Sequence, residues 1–246
     1  MRVPRAHIQA ELARGTRVSL PPATAHHLLR VLRLGDGAAV RLFNGEPGDW
    51  HGRLAVQGRQ QAAVEIDSFE PREVESPLEL TLVQGISRGR RMDYTLEKSV
   101  ELGVARIVPV VMERTQAAPA GERIAKKARH WEGVIAAATA QCGRTRLPVL
   151  AAQCGFREWL ARHGDPDDDA TRVLLDPDAG HGPGGLAPAR RITLIAGPEG
   201  GFAPGERDAA GAAGCTGLRL GPRILRTETA AVAALTLLQG LYGDLG

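Results

Sequence analysis

The chain of 246 residues has only three cysteines, Cys142, Cys154 and Cys215. An odd number at wide spacing excludes a disulfide framework and a zinc site. No run of about 18 apolar residues is present, so no membrane-spanning helix is encoded. The opening MRVPRAHIQAELARG lacks the apolar core of a secretory leader, and the expectation is a soluble, cytoplasmic protein with neither membrane nor metal as partner. Three catalytic signatures are missing as well. There is no Walker A sequence, no H-E-x-x-H and no G-x-S-x-G, which removes the minimum parts of nucleotide, zinc and serine hydrolysis. A dinucleotide fold would place G-x-G-x-x-G directly after its first strand. The stretch here is GISRGRR, basic and wrongly spaced, and a loose match at Gly182, Gly184 and Ala187 runs into Pro188.

Lysine is scarce beside arginine, and the net charge of +3 is small but uneven. Residues 1–60 hold nine Arg against four acids, and residues 81–150 hold twelve Arg or Lys against six. Residues 61–80 reverse the sign, with six acids and one Arg, and residues 151–246 are mildly acidic. Two basic zones with an acidic join suit a polyanion held across two domains. A GC-rich coding sequence rich in Arg, Ala and Gly would give the same surplus.

Arg17 to Leu20 reads as a short strand, and Thr24 as the cap of a helix through HHLLRVLR with His27, Leu28, Val31 and Leu32 near one face. AVRLFN, WHGRLAV and AAVEIDSF alternate as half-buried strands between turn signals, the pattern of a small β-barrel. EPREVESP (70–77) has no periodicity and marks a join. From Leu78 strands and helices alternate, which argues for a mostly parallel sheet covered on both faces. The last helix, from Thr227 to about Tyr242, is apolar on nearly every side and must be buried, in the domain or against another copy.

Two late glycine turns stand out. In ITLIAGPEGGF (192–202), Gly197, Gly200 and Gly201 bracket Pro198 and Glu199, so that backbone can approach a ligand with no Cβ in the way. In LRLGPRILRTETA (218–230), Gly221 and Pro222 interrupt a strand, Thr227 stands where an N-cap would satisfy free N–H groups, and Glu228 follows in the positive first turn. GPEGGF and LGPRILRTETA together resemble the C-terminal signature of the SPOUT methyltransferases, specifically the ribosomal small-subunit RNA (uracil-N3) methyltransferase family. RVPR, HHLLRVLRLGDG and LFNG resemble that family's PUA-like N-terminal domain, and ISRGRRMDYTLEKSVELGV and AQCGRTRLP match it too. One departure is Ala140, where many relatives carry Glu before the QCGR segment.

The resemblance implies an α/β, SPOUT-type, mostly parallel sheet with a C-terminal trefoil knot at 78–246, a linker at 71–77, and a PUA-like β-barrel RNA-binding domain at 1–70. It also implies a homodimer that uses S-adenosylmethionine to methylate N3 of a uridine in 16S small-subunit ribosomal RNA. The donor would contact Leu175, Gly197, Pro198, Gly200, Gly201, Leu220, Gly221, Ile224, Leu225 and Thr227. Arg2, Arg5, Arg30, Arg33 and Arg41, with Arg88, Arg90, Arg91, Lys98, Arg144 and Arg146, are candidates to hold RNA phosphates around a base turned out of its stack.

N3 of uracil is nucleophilic only once its imide proton leaves or is shared, so the reaction needs a base or an oxyanion stabiliser. Arg226 can stabilise charge on the uracil oxygens or hold a phosphate. Glu199 or Glu228 can accept the proton if burial raises its pKa, and Thr227 or Thr229 can position the base. A non-catalytic RNA-binding assembly factor on the same fold, and a small-molecule enzyme using the same donor, are the two alternatives.

Overall fold

The structure, a computed structural model, describes residues 3–58, 60–116, 118–163 and 169–246, so Arg2 lies outside the described residues. The chain forms two compact units, residues 1–75 with 136–147, and residues 76–135 with 148–246. The expected second domain at 78–246 is therefore interrupted, because the end of one helix and the loop after it pack with the first unit.

In the first unit β1 (Arg5–His7), β2 (Arg17–Ser19), β3 (Ala39–Phe43), β4 (Asp49–Val56) and β5 (Ala62–Glu70) make one sheet in the order β1-β3-β4-β5-β2. Alternation drives it: Val40 and Leu42 of β3, Leu54 of β4, and Val64 and Ile66 of β5 share a buried core with Leu28. The sheet is open, not a closed barrel, since the three-residue strands β1 and β2 end the order and are each paired on one side among the described residues.

Helix α1 (Pro22–His26) starts two residues before Thr24, with Pro22 in its first turn, where proline's fixed φ and missing N–H cost nothing. It continues as a π-helical turn over His27–Val31. The wider turn rotates the expected apolar face, so Leu28 is buried while Val31 and Leu32 are 59% and 41% exposed.

Arg5, expected to face a phosphate, is buried instead. Its guanidinium donates to Asp49 Oδ1 at 2.6 Å and to the carbonyls of Thr139, Ala140 and Arg144 at 3.0 to 3.3 Å. Asp49 is itself fully buried and lies within 4 Å of Arg41 and Arg72 as well. Arg144 is likewise internal, 7% exposed, and pairs with Glu75 Oε2 at 2.6 Å. Glu75 Oε1 also accepts from the backbone N–H of Arg146, so the end of the supposed linker is tied down.

The second unit is a parallel seven-stranded sheet in the order β12-β10-β11-β6-β7-β8, with β9 also pairing β7. Its elements are β6 (Glu79–Gly85), α2 (Arg90–Glu101), β7 (Arg106–Val111), α3 (Glu122–Cys142), β8 (Val149–Leu150), β9 (Cys154–Gly155), α4 (Phe156–His163), β10 (Thr171–Leu175), β11 (Arg191–Ala196), α5 (Pro204–Ala212), β12 (Thr216–Leu218) and α6 (Thr227–Tyr242). The inner strands are buried on both faces, as the run Ile192 to Ala196 of β11 shows, and such runs belong to sheets covered by helices. Helix α6 packs on α2 and β11 through Ala231, Ala234, Leu235 and Leu238. It is not enclosed all round, because Leu241 remains 51% exposed. No helix among the described residues is long and apolar enough to cross a membrane.

Candidate active site

The C-terminal ends of β6, β10, β11 and β12 converge on one place. Gly85 closes β6, and a Cβ there would lie 2.4 Å from Pro198 N and 2.8 Å from Gly197 C. Backbone therefore meets backbone between β6 and the turn after β11. In that turn Gly201 donates its N–H to the Pro198 carbonyl at 2.9 Å and adopts φ +67°, a conformation cheap only for glycine. Gly200 is fixed by packing, since a Cβ would stand 2.8 Å from Arg114 Cβ. The Arg114 guanidinium also donates to the Gly200 carbonyl. A Cβ on Gly197 would crowd Phe202 and Gly201 at 3.2 and 3.3 Å. Gly197 and Gly200 are thus held to glycine by the turn's own packing and Gly201 by its φ, while a Cβ on Gly201 would meet nothing within 4 Å and all three line the cavity.

The second bend leaves β12 at Leu218, turns at Gly221 with φ +80°, and enters α6 at Thr227. Thr227 is not the N-cap. Arg226 holds that position without a side-chain cap bond, and the Thr227 hydroxyl donates instead to the Gly197 carbonyl at 2.5 Å. The two bends are thereby laced together beside a cavity of about 460 Å³.

All ten residues expected at the donor line this cavity, as do Arg226, Glu199 and Glu228. Thr229 does not; it is exposed and lies outside the lining, because the next helical position points away. Arg91, expected to grip RNA, is part of the wall. Sequence reasoning missed Arg114, Arg207 and Arg223, which also line it. Arg207 lies 3.6 Å from Asp176 Oδ2. Only the last of these stood inside a motif, where its place between Pro222 and Ile224 was available as a signal.

The two carboxylates differ. Glu199 Oε1 accepts from the backbone N–H of Arg88 at 2.9 Å and from Arg91 Nη1 at 3.1 Å. Burial pushes its pKa up, but the N–H groups of Arg88 and of Glu199 itself, with the Arg91 guanidinium, outweigh that and leave it below the usual carboxylate value. The condition under which Glu199 would take a proton is therefore not met, and its carboxylate holds the start of α2 to the glycine turn. Glu228 Oε1 stands 3.8 Å from Arg91 Nε, and its Oε2 is buried with no hydrogen-bond partner among the described residues. A buried acceptor without a donor is costly, and Glu228 as a residue forms part of the cavity wall. Arg226 is exposed and has no ion pair among the described residues.

Of the cations proposed for RNA, Lys98 is held 2.8 Å from both Glu97 and Glu101, whose hydrogen bonds raise its pKa. Its charge is already answered. Arg146 pairs with Glu73. Arg30, Arg33, Arg88 and Arg90 are exposed, with no side-chain ion pair among the described residues. No group of His, Cys, Asp and Glu suited to a metal ion occurs among the described residues.

Residues 74–239 match the family model for an RNA methyltransferase domain, and residues 20–67 match that for an RNA methyltransferase PUA domain. The chain is 31% identical to ribosomal RNA small subunit methyltransferase E of Buchnera aphidicola subsp. Schizaphis graminum, over 99% of this chain and 98% of the relative. It superposes with a TM-score of 0.90 on ribosomal RNA small subunit methyltransferase E from Neisseria gonorrhoeae bound to S-adenosyl methionine, at 36% identity and full coverage of both chains. A putative methyltransferase from Legionella pneumophila, in complex with the same cofactor, gives a TM-score of 0.94 at 35% identity, again with full coverage of both.

Proposed function

From the premise that the chain belongs to the ribosomal RNA small subunit methyltransferase E family, we propose that it methylates N3 of a uridine in small-subunit ribosomal RNA with S-adenosylmethionine as donor. We place that activity in the cytoplasm. The observation that carries the reading is the convergence of both glycine bends on one cavity of about 460 Å³, within the range of small-molecule sites. The residues present fit the donor. Leu175, Leu220 and Leu225 supply apolar wall for an adenine ring, and backbone of the bends supplies polar groups. When bound, the donor supplies an electrophilic methyl group on a sulfonium.

The chain's own residues do the rest. Glu228, a carboxylate in the cavity wall, takes the imide proton from N3. Glu199, already committed to Arg88 and Arg91, keeps the glycine turn in place. Arg226, with no carboxylate partner among the described residues, holds negative charge that develops on a uracil oxygen. Exposed Arg30, Arg33, Arg88 and Arg90 are cations available to phosphates. We read the active form as a homodimer, in keeping with the apolar Leu241 and Leu245 left 51% and 55% exposed at the C-terminus; a monomer mass in sedimentation would refute it.

Calorimetry with S-adenosylmethionine and methyl transfer to small-subunit RNA, with the product nucleoside identified, test the activity. Folded protein that gives no donor heat sinks it. Arg226→Ala should lower methylation about 100-fold or more with RNA affinity nearly intact. A parallel collapse of RNA affinity would make Arg226 a phosphate contact.

A further inference from the structure

Gln84 sits on β6 immediately before Gly85 and is fully buried, outside the cavity lining, on a strand whose neighbouring buried residues are Leu82 and Val83. A polar side chain in such a place costs free energy unless it is bonded. Its amide nitrogen lies 2.9 Å from the Gly85 carbonyl, 3.4 Å from the Gly197 carbonyl and 3.2 Å from Thr227 Oγ1. Turning the amide over would set its oxygen against two carbonyl oxygens, so the nitrogen must face them. The Thr227 hydroxyl gives its own proton to the Gly197 carbonyl, and towards Gln84 it can only accept. Donation therefore runs in one direction, from amide to hydroxyl to carbonyl, across β6, the turn after β11, and the first residue of α6.

We propose that Gln84 is a positioning residue for methyl transfer: by holding the Gly197 carbonyl and the Thr227 hydroxyl together, it sets the spacing of the two bends that clasp the donor. This rests on the donor reading of the cavity. The direct cavity contacts belong to Gly197 and Thr227; Gln84 acts only through them. Its own oxygen has no partner among the described residues, a cost that bonding by the nitrogen offsets.

Gln84→Met keeps the length of the side chain and removes both donors. The dissociation constant for S-adenosylmethionine should rise about tenfold, with the KM for donor rising alike while kcat and RNA affinity hold. In a Thr227→Val background, where the hydroxyl is already gone, the same change should add less than about twofold. Unchanged donor affinity in Gln84→Met overturns the proposal. So do losses that multiply in full in the double variant, and so does a fall in kcat at constant donor KM, which is what a merely destabilised fold would give. If Gln84→Met does not fold, Thr227→Val and Thr227→Ser decide: the first should lose donor affinity and the second keep it, and equal affinities overturn the network. A wild-type protein that binds no donor removes the functional reading and this inference together. A wild type that binds, with Gln84→Met binding equally well, removes this inference alone.

Discussion

Glu228→Gln preserves the shape of the carboxylate and removes its capacity to take a proton, so methyl transfer should fall at least about 100-fold. Donor affinity should barely change, and single-turnover transfer measured beside calorimetry separates the two. Glu199→Gln should act on stability. A carboxylate whose folded pKa lies below its ordinary value of 4.5 contributes stability that is complete above that value and is lost as pH falls through the folded one. Wild type should therefore exceed Glu199→Gln by roughly 1 kcal/mol at neutral pH, with the difference closing only below about pH 4.5. Melting curves across pH 3 to 7, on the order of one per half unit, check the sign. These distinctions were not legible in the sequence. Glu199 and Glu228 both stand in glycine-bend motifs, and what separates them is Arg88 and Arg91, more than a hundred residues away in the chain.

At the scale of elements, Gly85→Ala would push a methyl group into the Pro198 and Gly197 backbone at 2.4 to 2.8 Å. Backbone on both sides cannot yield like a flexible side chain. The expected result is a loss of about 2 kcal/mol in urea unfolding together with loss of donor binding. Most elements were readable from periodicity: β3, β4 and β5 by alternation, and the inner strands β10 and β11 by short apolar runs between turn signals. Boundaries set by distant pairing were not. A strand was expected over LRLG from Leu218, but β12 spans Thr216–Leu218 because its register is dictated by Val173 to Leu175 on β10. The start of α6 was read correctly and its cap was not, since the Thr227 hydroxyl had a better acceptor in a turn 30 residues earlier.

For the molecule as a whole, the sorting of arginines into buried and free predicts how RNA binding responds to salt. Arg30→Ala and Arg33→Ala should each leave folding intact and reduce the slope of log affinity against log salt by about 0.7 if each meets a single-stranded phosphate. Filter binding across a salt series measures this, and an unchanged slope removes the residue from the contact set. Composition showed two basic zones but could not show that Arg5 and Arg144 spend their charge internally. Arg5 also shapes how the protein must be made. Its carbonyl acceptors, Thr139, Ala140 and Arg144, come from a segment more than 130 residues downstream. A fragment ending at Glu75 would leave that guanidinium facing absent partners, so the first unit cannot complete itself while only its own opening stretch has emerged during synthesis. The beginning of the chain has to wait for its middle.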